Sequence, residues 1–151
     1  MYRLTIFLML LSANTYANDA GVTSVYLEFE SAYLSNDVEK FEPWLHNEYT
    51  LVQSLNVPDI GKDSRSVTKE QLLGAMKMMG KPSSMPQSSG DSVEILNQTD
   101  ETFCAASTTL NRTTVSGLNY EEKEVRKVCF SRDDKKYLAT THEIDVFYKK
   151  L

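Results

Sequence analysis

The chain has 151 residues, with 16 Lys and Arg against 21 Asp and Glu, a formal net charge of −5 and 41% hydrophobic residues. That length is enough for one ordinary domain. An acidic chain without a Lys/Arg block lacks the footprint that neutralises phosphate, so neither nucleic acid nor an anionic membrane surface is expected as a partner.

At the N-terminus, Arg3 supplies a positive start, Leu4 to Leu11 an apolar run and Thr15-Tyr16-Ala17 a small-residue cleavage site. This is the pattern of a secretory signal peptide over residues 1–17. The apolar run is far shorter than the roughly 20 residues that cross a bilayer, so no stable membrane anchor is expected. Residues 18–151 are then one mature domain, periplasmic or secreted, and more acidic by the loss of Arg3.

Val22, Val25, Tyr26, Phe29 and Tyr33 recur at helical spacing and predict an amphipathic helix over 20–35. Asn36 with Glu39 three residues on predicts the N-cap of a short second helix carrying Val38 and Phe41, limited by Pro43. Trp44 and Leu45 lead into a strand, Tyr49 to Leu55, and then a loop containing Pro58 and Gly61. Thr68 with Gln71 forms the capping pattern of a third helix whose apolar face is Leu72, Leu73, Met76 and Met79; Gly80 and Pro82 end it. Residues 80–91 are a Gly/Pro/Ser loop. From Ser92 onward the chain reads as strands, 92–98, 102–114, 118–131 and 136–149, turning at Thr99-Asp100, Ser116-Gly117 and Asp133-Asp134.

Two cysteines in an exported chain point to one disulfide. In a hairpin centred on Ser116-Gly117, Cys104 and Cys129 lie equal distances from the turn and so face each other. Counting outward from Val115/Leu118, they fall at a non-hydrogen-bonded pair, where the α-carbons approach closely enough to be bridged.

Helices followed by a run of hairpins give an α+β layout in which a curved antiparallel sheet packs on about three helices. The stretch from Tyr26 to Met79, above all LSNDVEKFEPWLHNEYTLV from Leu34 to Val52, resembles the nuclear transport factor two-like superfamily, which includes ketosteroid isomerase and the SnoaL-like cyclases. The resemblance implies a cone-shaped α+β barrel over 18–151 whose mouth holds a ligand. It makes Tyr33, Trp44, Tyr49 and one face of the last strand candidate lining residues. That face is either His142, Ile144, Val146 and Tyr148 or Thr141, Glu143, Asp145 and Phe147. The alternative for all these aromatics is a solid core.

An ungapped match to the isomerases, anchored on Asp37, puts the position of the general base on Gln53 and that of the oxyanion-hole tyrosine on Phe29. An amide is no base at neutral pH and a phenyl ring donates no hydrogen bond, so no catalytic residue is assigned, with Glu143 and Asp145 the nearest substitutes if the register shifts. His46 and His142 are the only histidines, and no nucleophile, metal or nucleotide motif occurs; no metal or cofactor is expected. His46 reads as a turn residue. Three readings follow: a non-catalytic binding domain for a small apolar ligand or a protein, an immunity or inhibitor protein that neutralises a periplasmic toxin or hydrolase, and a SnoaL-like isomerase, cyclase or dehydratase. The last requires a buried carboxylate facing an apolar cavity. Pairing through the open sheet, as in the superfamily, makes a homodimer the expected assembly.

Overall fold

A computed structural model describes residues 14–58, 60–81, 93–115 and 117–151. The leader core, Ser116 and most of the 80–91 loop, Pro82 included, lie outside the described residues. Helix α1 (Asn14–Leu34) begins earlier than its periodicity predicts and runs through the expected cut after Ala17. Its Val22, Tyr26, Phe29 and Ala32 are buried, one stripe on the sheet side.

The turn after α1 differs from expectation. Asn36 adopts a left-handed conformation (φ 47°), which its short polar side chain tolerates, and the N-cap of α2 (Val38–Phe41) is Asp37, without a side-chain cap bond. Asn36 instead donates from Nδ2 to the Gly80 and Met76 carbonyls at the end of α3 (Lys69–Met79). Lys81 adds an ion pair to Asp37 at 2.8 Å that holds this carboxyl below its ordinary pKa. These contacts tie the first turn to the third helix. The capping box of α3 forms as read, with Thr68 Oγ1 accepting from Gln71 N–H and Gln71 Oε1 accepting from Thr68 N–H. Leu72, Leu73 and Met76 face the core, whereas Met79 is 70% exposed: the apolar face is one turn shorter than the spacing suggests.

The six strands are β1 (Leu45–Val57), β2 (Gly61–Thr68), β3 (Glu94–Gln98), β4 (Thr102–Val115), β5 (Leu118–Asp133) and β6 (Lys136–Lys150), preceded by a 3₁₀ turn at Glu42–Trp44. They form one curved, unclosed sheet in the order β2-β1-β6-β5-β4-β3. All neighbours are antiparallel except β1 and β6, so the sheet is mixed and not wholly antiparallel. The expected loop around Pro58 and Gly61 is in fact a hairpin into β2. That strand was unreadable because its GKDSRSVT sequence lies exposed at the sheet edge and turns only Val67 to the core.

Cys104 pairs with Cys129 in the β4–β5 register and the two are disulfide-bonded, with α-carbons 4.1 Å apart. The bridge sits on the outer face, away from the helices. Opposite it, β6 carries one extra residue: Cys129 faces Thr141 but Phe130 faces Ala139. The bulge bends the strand and changes which parity points inward, so Ala139 and His142 are both buried.

Closing the 25-residue span between the cysteines restricts the unfolded chain, and replacing both by Ala should lower stability by about 3 kcal/mol. Urea unfolding followed by far-UV circular dichroism would measure this. An unchanged midpoint would mean that register alone, without the bridge, holds this hairpin.

Candidate functional site

Between the inner face of the sheet and the C-terminal half of α1, a hollow of about 450 Å³ opens to solvent. Register explains its lining. Gln53 and Leu55 of β1 stand beside Ile144 and Val146 of β6 and beside Arg65 and Asp63 of β2, while Arg126 and Glu124 of β5 close the far wall. Tyr33 of α1 covers the inner end. The floor is therefore apolar and the rim charged.

Arg65, Arg126 and Glu124 are tied down at the rim. Arg65 donates from Nε and Nη2 to Gln53 Oε1 at 2.9 and 2.7 Å. Arg126 pairs through Nη1 with Glu30 Oε1 at 3.2 Å and through Nε with Glu124. Glu30, only 2% exposed, also accepts from Ser107 Oγ, which is 2.7 Å from the Tyr26 hydroxyl. Burial outweighs the Ser107 bond and pushes the Tyr26 phenol up to about 12.

Behind the hollow lies His142. Nδ1 is 3.1 Å from the Tyr49 hydroxyl, and the ring packs edge-to-face with Tyr33 at 4.9 Å and Phe29 at 5.5 Å. Its Nε2 has no hydrogen-bond partner among the described residues. Desolvation, aided by the Arg126 charge, lowers the imidazole to about 3, so it is neutral at pH 7. Burial also raises Tyr33 and Tyr49 above the ordinary phenol range.

The structure thus gathers Tyr33, Tyr49 and His142 in one place and separates Trp44 and Asp145 from them. Trp44 lies at the 3₁₀ turn with the Lys136 ammonium 5.4 Å from its ring centroid. Asp145 points to the outer face, beside Glu143, Ser54 and Lys62. Of the two parities on β6, His142, Ile144 and Val146 face inward. His46 lies in β1 and not at a turn, and its Nδ1 accepts from the Glu48 N–H. Sequence reasoning missed Arg65, Arg126, Glu124 and Glu30. Strict alternation along β5, from Phe130 through Val128 to Arg126 and Glu124, was the signal that could have placed two of them on the inner face. Among the described residues no three His, Cys, Asp or Glu side chains converge as a metal site.

No family profile and no curated protein matches the sequence. Solved structures do match it in shape. The association domain of C. elegans CaMKII has a TM-score of 0.55 at 10% identity, over 88% of this chain and 98% of that one. An NTF2-like protein of unknown function from Shewanella baltica has 0.53 at 9%, over 89% and 98%. Hexachlorocyclohexane dehydrochlorinase LinA-type3 from Novosphingobium barchaimii has 0.51 at 8%, over 90% and 91%. The fold is the nuclear transport factor two-like cone. At these identities the likeness is one of fold alone. Within this cone Gln53, the position the resemblance gives to a base, does reach the hollow, but as a neutral amide clamped by Arg65. Phe29 lies deeper, against His142.

His142 makes the cone acid-sensitive. Its folded pKa is below the unfolded value of about 6.5, so between those values the unfolded chain binds a proton that the folded one refuses. Stability should therefore fall as pH drops below about 6.5, by about 2 kcal/mol between pH 7 and pH 5. Urea unfolding at the two pH values, with His142→Gln expected to flatten the dependence, checks the sign and the residue.

Proposed function

We propose that this chain is an exported binding domain that holds a small amphipathic molecule in the mouth of the cone without acting on it chemically. The observation that carries this reading is the hollow itself. It has apolar walls at Leu55, Ile144, Val146 and Tyr33, a polar rim, and an amide in place of a base. The sequence alone leads to the expectation of a small apolar ligand or a protein. Arg65, Asp63, Glu124 and Arg126 around the opening instead favour a molecule with an apolar body and one polar end. Export is supported by the leader pattern and by the disulfide, which persists in oxidising compartments.

Native mass spectrometry of the protein isolated from its own periplasmic or culture extract should show a retained small molecule. Val146→Trp, which fills the hollow from its apolar side, should abolish that adduct while the circular dichroism spectrum stays intact. Retention by the filled variant would place the ligand elsewhere.

A second reading concerns the outer face. Leu110 (63% exposed) and Phe147 (42% exposed) share one cross-strand row there with Lys123 between them. Exposed apolar side chains on the outer face of an open sheet favour a protein partner, in the first place a second copy of this chain. Sedimentation should show a dimer that Leu110→Glu with Phe147→Glu dissociates. A monomeric parent protein would remove the self-pairing reading.

A further inference from the structure

His142 is 1% exposed, and its Nε2 is a buried polar atom with no hydrogen-bond partner among the described residues. The bond to Tyr49 can run in either direction. If Tyr49 donates to Nδ1, the phenol hydrogen is used and a single group, Nε2–H, stays unmade. If Nδ1–H donates, both the phenol hydrogen and a bare Nε2 are left over. Leaving one buried group unmade costs less than leaving two, so Nε2 carries the proton. The orphan is a donor.

One ring touches both the imidazole and the hollow. Tyr33 lies edge-on to the imidazole at 4.9 Å and lines the hollow of about 450 Å³. On its other side the same tyrosine lines a groove of about 390 Å³ between α1 and α3, bounded by Leu72, Met76 and Met79. Methionine side chains adapt readily to a displaced neighbour. The hollow already reaches Ile144, two residues beyond His142 on the same face of β6 and so about 7 Å away along the strand.

We propose that His142 Nε2–H is the inner anchor of the cone site: Tyr33 turns toward the α1–α3 groove, and the ligand places a carbonyl or similar neutral acceptor against the imidazole. This deepens the binding reading and rests on it. The acceptor is uncharged: Phe29, Leu51, Val128 and Ile144 flank the imidazole, where an ion would be costly to desolvate, and the Arg126 charge felt there is already paired with Glu30 and Glu124. An apolar body fills the hollow behind it, and any charged end stays at the Arg65 and Arg126 rim.

The test uses the oxidised protein with two probes of like size, 2-acetylnaphthalene and its hydrocarbon analogue 2-isopropylnaphthalene. Binding is followed by fluorescence titration and by ¹⁵N spectra of the imidazoles, with His46 as the internal control. The ketone should bind about fivefold to tenfold more tightly, the size of one neutral hydrogen bond, and should move the His142 resonances but not those of His46. His142→Phe should bring the two affinities together. Because that variant also removes the Tyr49 partner, Tyr33→Ala provides a second route: both probes should bind more tightly and His142 should begin to titrate toward its ordinary range. Equal affinities with unmoved His142 resonances would overturn the anchor and leave the hollow standing as a binding site. Failure of both probes to bind wild type and Tyr33→Ala alike would overturn the cone-mouth reading, and the anchor with it.

Discussion

The extra residue in β6, Thr140, determines which side chains meet the helices. Its hydroxyl donates to the Cys129 carbonyl at 3.1 Å, so the bulge is held by the residue that the disulfide ties to Cys104. On one side of the bulge Ala139 turns inward beside Phe130; on the other His142 turns inward beside Val128. Without it, Thr141, Glu143 and Asp145 would face α1, so that a threonine would replace the imidazole and two carboxylates would replace Ile144 and Val146 on the inner face. That exchange would crowd Glu143 and Asp145 against Glu30 and Glu124 around Arg126, a costly concentration of like charge. The bulge also bends the sheet, and a bent sheet is what encloses a hollow. Register, curvature and site composition therefore share one local cause.

α1 is fixed on this surface by polar contacts as much as by apolar ones. Tyr26 to Ser107 and Glu30 to Arg126 peg successive turns of the helix to β4 and β5, and Tyr33 then falls over His142. Buried ion pairs add little net stability, since desolvation offsets much of the attraction. Their consequence here is positional. A helix rotated by one residue would leave Glu30 without Arg126 and Ser107, whereas an all-apolar stripe would tolerate the slip. The aromatic group of Phe29, Tyr33, Phe41 and Tyr49 supplies the burial, and the polar pegs select one arrangement of it.

Some of this was legible in the sequence and some was not, for identifiable reasons. The α3 cap and the disulfide were readable because each depends on a fixed local spacing, Thr68 to Gln71 and Cys104 to Cys129 about one turn. The cone resemblance rested on Leu34–Val52, whose elements α2, the 3₁₀ turn and β1 do occur in that order. β2 was hidden because an exposed edge strand has no apolar alternation to betray it. The inward face of β6 could not be chosen because period two fails across a bulge, and a bulge leaves no mark on composition. Asn36 reads as a cap because its spacing to Glu39 fits one. Its side chain is instead drawn to the open carbonyls ending α3, a tertiary contact that spacing cannot show. Arg126 and Glu30 were missed as a pair because they are far apart in the chain and meet only when the helix docks.

The position of the hollow follows from a gradient along the strands. Inward-facing residues of β5 run Phe130, Val128, Arg126, Glu124, and those of β4 facing them run Phe103, Ala105, Ser107, Thr109. The first half of each series collapses on the helices as a dry core, with Phe103 stacked on Phe130 at 4.6 Å. In the second half α1 meets Ser107 and Arg126 through its own polar side chains, Tyr26 and Glu30, and solvent enters the hollow beside Arg126 and Glu124. On β6 the same interval is still apolar, at Ile144 and Val146, which leaves one greasy strip between charged walls. An amphipathic molecule entering there would be oriented before it made any specific contact: its apolar part would be drawn along β6 toward Tyr33, and its polar part held back at the rim by the cost of leaving water. On the proposed reading the cone mouth selects a direction of entry as well as a size, and that direction ends at Tyr33, the ring packed on His142.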